Sequence, residues 1–229
     1  MSQRVLVILM ILVGVILMGL LTSLYLLRPV AVPAETGAAD GVPANPLESD
    51  QLLAGYSIPE FTLTNQEGEP IDQSILDGEL TVLTFMFTNC PFACPGMTAE
   101  MVKLQSDMQG TELRFLSISV DPANDTPEVL KAYGERNGVD FERWPLLTGP
   151  FEDVRSIVRD SLNFFVGEDT SRQIELADGS TMNNVSHPSH LILVGPERQV
   201  LGIYLAYEPD RMIDIRTRVR AATRAMEAG

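Results

Sequence analysis

This 229-residue sequence predicts an α/β sandwich standing behind a single membrane-spanning helix. Three observations predict it. Residues 5–27 are 23 consecutive positions without a charge. Two continuous apolar runs, residues 80–87 and 113–120, have the length of buried strands, and each is followed by the start of a helix. Residues 190–194 and 200–204 flank the turn Gly195-Pro-Glu-Arg198 as an antiparallel pair, and a helical stretch from Asp210 to Met226 follows them.

The apolar N-terminal stretch is long enough to span. At ~1.5 Å per residue it makes a helix of about 35 Å, against a hydrocarbon core of about 30 Å. A cleaved signal peptide would carry a shorter apolar region ending at a small-residue site, for which Ala31-Val-Pro-Ala34 is a weak candidate. Arg4 and Arg28 flank the span almost evenly, so the positive-inside rule does not orient it. The expected organisation is an anchor over residues 1–28, a flexible linker over 29–50 containing Pro29, Pro33, Pro43 and Pro46, and one folded domain over 51–229. Residues 29–229 carry a formal charge of −17. An acidic domain of this kind excludes nucleic acid as a partner, because phosphates require a basic face.

Within the domain, Phe61-Thr-Leu-Thr64 and the region of Pro70-Ile71 form a short hairpin around Asn65-Gln-Glu-Gly-Glu69. The buried strand over 80–87 comes next, then a helix starting near Cys94 and Pro95 and stopped by Gly110. After the strand over 113–120, Asp125-Thr-Pro-Glu128 supplies a cap (Asp125 or Thr126), a proline in the first turn and an early acid, with Gly138 past the helix end. Residues 144–147 are extended, and Val154, Ile157, Val158 and Leu162 have helical spacing. Strand, helix, strand, helix, then hairpin and helix is the element order of a thioredoxin-like sandwich.

Both cysteines of the chain, Cys90 and Cys94, lie in Thr88-Asn-Cys-Pro-Phe-Ala-Cys-Pro-Gly96, at the carboxyl end of the first buried strand. Open α/β sheets place ligand sites there. Two sulfurs at a strand-to-helix junction meet unsatisfied N–H groups and the positive end of a helix dipole, which favours thiolate, the form that attacks disulfides and binds soft metals. A structural disulfide is the plainer alternative, although such bridges usually close longer loops. The two histidines, His187 and His190, share Asn184-Val-Ser-His-Pro-Ser-His190. Two thiolates and an imidazole make a three-coordinate site suited to copper, whereas zinc would require a fourth ligand. Met97 and Met101 follow Cys94 on one helical face, where packing is the default role and thioether ligation the alternative. Asp121 ends the second buried strand on the same rim of the sheet and is the candidate carboxylate for tuning the ligands.

Taken together, Phe87-Thr-Asn-Cys-Pro-Phe-Ala-Cys-Pro95, Ser119-Val-Asp-Pro122 with Asp125-Thr-Pro127, and a histidine eight residues before Gly195-Pro196 resemble the Sco/SenC family over about residues 50–227. The resemblance implies membrane-anchored copper-binding proteins of thioredoxin-like fold that assist assembly of the dinuclear copper site of cytochrome c oxidase. By it, Cys90, Cys94 and His187 fall on the copper ligands and Asp121 on an acidic position near them, while His190 has no regular counterpart. It also implies an extra hairpin around Glu175-Leu-Ala-Asp-Gly-Ser180. The implied location is a bacterial cytoplasmic membrane with the domain facing the periplasm, since no Arg-rich transit peptide precedes the anchor.

Two functions from different classes follow. One is a metallochaperone, not an enzyme, that binds Cu+ or Cu2+ through Cys90, Cys94 and His187 and delivers it to the copper-site subunit of the oxidase. The other is a thiol–disulfide oxidoreductase using Cys90 and Cys94 to keep that subunit, or another periplasmic copper chaperone, reduced, with a thiol reductase as a further partner. His187 separates them, because exchange between dithiols does not require a third soft ligand. Peroxidase chemistry would need an Arg and a Thr or Ser around the reactive cysteine, a set absent near Cys90.

Overall fold

A computed structural model describes residues 45–176 and 179–228, together with Met18. The predicted span over residues 5–27, Met18 apart, and most of the linker lie outside the described residues. Among the described residues no helix is long and apolar enough to cross a membrane.

The core of the fold is β3 (Thr81–Met86), in which all six residues are buried. Successive strand residues point to opposite faces, so a run buried throughout requires both faces of the sheet to be covered. Beside it runs β4 (Arg114–Ser119), paired in parallel from Thr81 with Arg114 to Met86 with Ser119. On the other side, β8 (His190–Val194) pairs antiparallel with β3 and with β9 (Val200–Leu205). The sheet is completed by β5 (Leu146–Thr148), parallel to β4, and by β1 (Thr62–Asn65) with β2 (Pro70–Asp72), giving the order β2-β1-β5-β4-β3-β8-β9. Leu83, Phe85, Leu116, Ile118 and Ile192 are fully buried on one of its faces, and Val82 and Leu193 on the other.

Helix α1 (Ala93–Asp107) leaves β3 through the cysteine loop and buries Cys94, Met97, Thr98, Met101 and Leu104. Helix α2 (Pro127–Asn137) begins as its sequence requires, with Pro127 in the first turn and Thr126 Oγ1 accepting from Val129 N, and Gly138 ends it in the left-handed region at φ 76°. Thr126, not Asp125, is therefore the cap. Helix α3 (Phe151–Leu162) is ended by Asn163 in the same left-handed conformation, which asparagine tolerates better than most residues. Helix α4 (Pro209–Ala228) carries Arg218, buried to 3% exposure, whose guanidinium grips the start of the domain through Asp50 Oδ1 at 2.6 Å and the carbonyls of Pro46 and Glu48.

Outside the main sheet stands a two-stranded ribbon, β6 (Gly167–Glu175) and β7 (Thr181–Ser186), with a register break between Asp169 and Gln173. Glu175 ends β6 and Ser180 precedes β7, so the described residues of the segment expected from the family resemblance flank the ribbon, whose strands extend well beyond that segment. The ribbon's residues are largely polar and, apart from Ile174 and Val185, exposed or half-buried, so no alternation of apolar and polar residues marks it in the sequence. The ribbon ends at Ser186 and hands the chain directly to His187.

Candidate metal centre

Strand β3 ends at Met86, and the turn Cys90 N to Phe87 O, at 3.2 Å, reverses the chain so that Cys90 lies beneath the start of α1. Cys94 follows one residue into that helix. His187 arrives from the foot of β7. The ligand atoms of Cys90, Cys94 and His187 all lie within 4.8 Å of one another, and among the described residues no fourth histidine, cysteine or carboxylate joins them. Both cysteines are free thiols.

Local contacts set the protonation of the two cysteines. The Cys90 thiol is lowered to about 4, first by the hydrogen bond from Cys94 and then by His187, against an opposing effect of burial. Cys94 is pushed well above its ordinary range because it holds the proton shared with Cys90, with burial and the Cys90 charge adding to the effect. The two sulfurs therefore compete for one proton, and the contacts around the less deeply buried Cys90 favour its thiolate over that of Cys94. His187 Nε2 lies 3.5 Å from Cys94 Sγ, while Nδ1 lies 3.2 Å from the Pro188 carbonyl. With the proton on Nδ1, donated to that carbonyl, Nε2 is free to bind a metal; with the proton on Nε2, the ring donates to the sulfurs instead. Phe87 packs edge-on against the imidazole with centroids 5.5 Å apart and fixes its plane.

The acid that underpins the loop is Asp125. Fully buried, it accepts from Thr88 N and Thr88 Oγ1 on the cysteine loop and from Ser119 Oγ at the end of β4. Burial raises its pKa to about 6, against the hydrogen bonds from Ser119 and Thr88. Its charge in turn helps raise Cys94. The sequence pattern Asp-Thr-Pro resembles a helix start so closely that this inward role was hidden; the available signal was that Thr126 alone suffices as cap. Asp121 lies in the same turn, with its carboxylate oxygens 3.0 and 2.8 Å from Asn124 Nδ2, and burial raises its pKa. Its charge adds a small upward effect to the pKa of Asp125.

The remaining candidates separate cleanly. Met97 and Met101 are buried in the core beneath α1. His190 is not part of the cluster: it stacks on Phe164 at 5.0 Å and 18°, and its Nδ1 is buried without a hydrogen-bond partner among the described residues. Thr98 and Tyr133 were not anticipated from the sequence. Their hydroxyls bond at 2.7 Å one helical turn beyond Cys94, and the Tyr133 hydroxyl is raised to about 12, mainly by burial.

The sequence matches the SCO1/SenC family over residues 50–221. The chain belongs to that family. It is 32% identical over 170 residues to the SCO1 protein homolog of Bacillus subtilis, a match covering 73% of this chain and 83% of the relative. Among solved structures it is similar to BsSco, described as a member of the Sco family of cytochrome c oxidase assembly proteins, with 32% identity, a TM-score of 0.62, and coverage of 77% of this chain and 97% of the other. A SCO1/SenC family lipoprotein from Bacillus anthracis gives 32% identity and a TM-score of 0.58, covering 73% and 95%. The thioredoxin-like sandwich expected from the element order is the fold these proteins share.

Proposed function

We propose that this protein is a copper chaperone that carries copper on Cys90, Cys94 and His187 and passes it to the copper-site subunit of cytochrome c oxidase. The observation that carries this is the three-atom cluster itself, two sulfurs and an imidazole nitrogen within 4.8 Å with no fourth protein ligand beside them among the described residues. Soft thiolates select copper over hard cations, and a structural zinc site would need four protein ligands. A three-coordinate set also leaves room for an incoming ligand, which transfer by ligand exchange requires. A related protein supports the client: BsSco is by description a member of the Sco family of cytochrome c oxidase assembly proteins. Asp121 acts at one remove, through Asp125.

Anaerobic titration of the reduced protein with Cu+ and with Cu2+ tests the assignment. One ion per chain is expected, with binding weakened strongly in Cys90→Ser, Cys94→Ser and His187→Ala. Full affinity in His187→Ala, with loss in His190→Ala, overturns the ligand set.

A second function is supported by the pairing of two free cysteines within 4.8 Å, with the thiolate favoured on Cys90. A thiolate beside a protonated Cys94 is the arrangement that attacks a disulfide and then resolves the mixed disulfide, so the same pair suits reduction of the oxidase subunit or of another copper chaperone. The two roles separate experimentally, because His187→Ala should weaken copper binding and leave disulfide exchange in place.

For location we propose residues 1–28 as a retained anchor in a bacterial cytoplasmic membrane, with residues 29–50 as the linker and the domain in the periplasm. Sharing a bilayer with the client raises the effective concentration of the domain near it. A form lacking residues 1–28 but exported to the same compartment should bind copper normally and support oxidase assembly less well at equal abundance. Full assembly at low expression would reduce the segment to an export signal.

A further inference from the structure

A cavity opens at the end of the sheet opposite the metal centre. Thr81 and Arg114, the first residues of β3 and β4, line it, whereas the cysteines follow the last residue of β3. Six residues of strand, about 20 Å, separate the two places. The cavity holds about 160 Å³. A dry apolar cavity of about 150 Å³ takes up one benzene ring, so the space here fits a single ring-sized molecule. Leu76, Phe115 and Leu116 are its buried walls, and the half-buried Ile71, Ile75 and Phe141 complete the lining toward solvent.

Set into this apolar lining is Gln66, only 5% exposed. Its Oε1 accepts from Leu146 N at 3.0 Å, while its Nε2 makes no hydrogen bond among the described residues. A buried amide is normally bonded through both its oxygen and its nitrogen, so the free N–H group marks a place for an acceptor. The neighbouring polar groups do not supply one. Asn65 is spent on Glu67 N, Glu69 N and Glu69 Oε2, and Thr81 Oγ1 is itself buried without a partner. Arg114 donates to the Glu142 carbonyl and lies 3.7 Å from Glu79, and Arg143 donates to the carbonyls of Met108 and Leu113. With Glu79 and Glu142 offsetting the two guanidiniums, the lining exerts no net pull on an ion. A water molecule needs two to four polar partners, and these walls are mostly apolar. Apolar walls around one placed donor are instead the make-up of a small-molecule site.

We propose that this cavity is a second binding site, for a neutral ring-sized molecule bearing one phenolic or carbonyl oxygen, which accepts from Gln66 Nε2 while its ring packs against Leu76, Phe115 and Leu116. The site is independent of copper, because it lies at the other end of β3 from the cysteines.

The test is a titration of the ¹⁵N-labelled full-length protein with phenol and, separately, with toluene, which has a methyl group in place of the hydroxyl. Detergent is held at one concentration, so that partition into micelles is the same for every variant. Phenol should shift the Gln66 side-chain amide resonances saturably, with a dissociation constant of about 1 mM or tighter. Ile75→Trp, which fills the opening, should weaken phenol binding by about tenfold or more. Gln66→Leu should weaken phenol by about five- to tenfold and bind toluene at least as tightly as the parent does. Copper affinity should stay at the parent value in both variants. Absence of a saturable shift at Gln66, up to about tenfold above that constant, would mean that the cavity holds only water and overturns the proposal. Parent-like phenol affinity in Ile75→Trp places the ligand elsewhere, and parent-like phenol affinity in Gln66→Leu removes the hydrogen bond that defines its class; either result overturns it as well. Should Gln66→Leu fail to fold once Leu146 N loses its acceptor, the parent titration and Ile75→Trp decide the matter.

Discussion

The cysteine loop and the β6–β7 ribbon bring one site together from opposite kinds of structure. Cys90 and Cys94 hang from β3, buried along its whole length, and their loop is fastened by three donors converging on the Asp125 carboxylate. His187 comes from a ribbon with two buried residues, a register break, and a polar tie to the rest of the domain in the 3.8 Å approach of Asn124 Nδ2 to Met182 Sδ. Two-stranded ribbons are marginal by themselves, and segments with few buried contacts open at lower free energy than the core. The difference teaches a division of labour: the sulfurs are positioned in advance, and the imidazole is the ligand whose approach can be adjusted.

The sharpest break of that comparison removes the rigid half. Oxidising Cys90 and Cys94 to a disulfide takes away both anionic ligands, so copper affinity should fall by more than about a thousandfold and return on reduction. Titration of the oxidised and re-reduced protein checks this. A disulfide form that binds copper as tightly as the dithiol would eliminate sulfur ligation altogether.

Next in size is the fastening beneath the loop. Asp125→Ala leaves Thr88 N, Thr88 Oγ1 and Ser119 Oγ without their acceptor, and should cost about 2–4 kcal/mol in denaturant unfolding with copper affinity about 10–100-fold weaker. The same group has a pH signature. Its folded pKa of about 6 lies above the ordinary 3.8, so the folded state binds the proton more tightly. The stability contributed by that proton is present at low pH and is lost as pH rises from about 4 through about 6. Relative to Asp125→Asn, the parent should therefore lose about 2–3 kcal/mol between pH 4 and pH 7. A flat difference over that range would mean that Asp125 titrates normally despite its burial.

The same contrast decides what the sequence alone makes legible. Strands β3, β4 and β8 are continuous apolar runs, and α2 carries Thr126-Pro127 before it and Gly138 after it, so burial and backbone chemistry both show in the residues. With two cysteines and two histidines in the chain, the candidate ligands could hardly be missed. The ribbon strands could be, because exposed polar residues pair through their backbones and leave no pattern in the side chains. Asp125 was legible only as a helix start, since nothing local distinguishes a carboxylate turned outward to a cap from one turned inward to Thr88, 37 residues away.

Breaking the adjustable half should have a smaller effect. His187→Ala should weaken copper binding by about 10–100-fold, because two fixed sulfurs remain. Its thermal midpoint should barely move, as His187 is partly exposed and its Nδ1 bonds only the adjacent Pro188 carbonyl. A large loss of stability would show that the ribbon is pinned through this side chain and is not the weaker half.

The smallest effect belongs to the histidine outside the cluster, and it sharpens the comparison by separating position from residue type. His190 stacks on Phe164 with its Nδ1 buried and unpartnered, an arrangement that costs the fold a desolvated polar atom without a return. Burial lowers its pKa, opposed by the charge of Glu208. A base whose folded pKa is depressed contributes stability above its ordinary value near 6.5 and loses it as pH falls, because the buried ring resists the proton that the unfolded chain accepts. His190→Phe keeps the stack, the backbone carbonyl that accepts from Thr84 Oγ1, and the β8 pairing, while removing both the orphan nitrogen and the titration. Stability should change by less than about 1 kcal/mol at pH 7, the loss of stability toward pH 5 should become shallower, and copper affinity should stay at the parent value. A substantial drop in copper affinity would bring His190 into the site and would mean that the sheet, not the ribbon, supplies the imidazole.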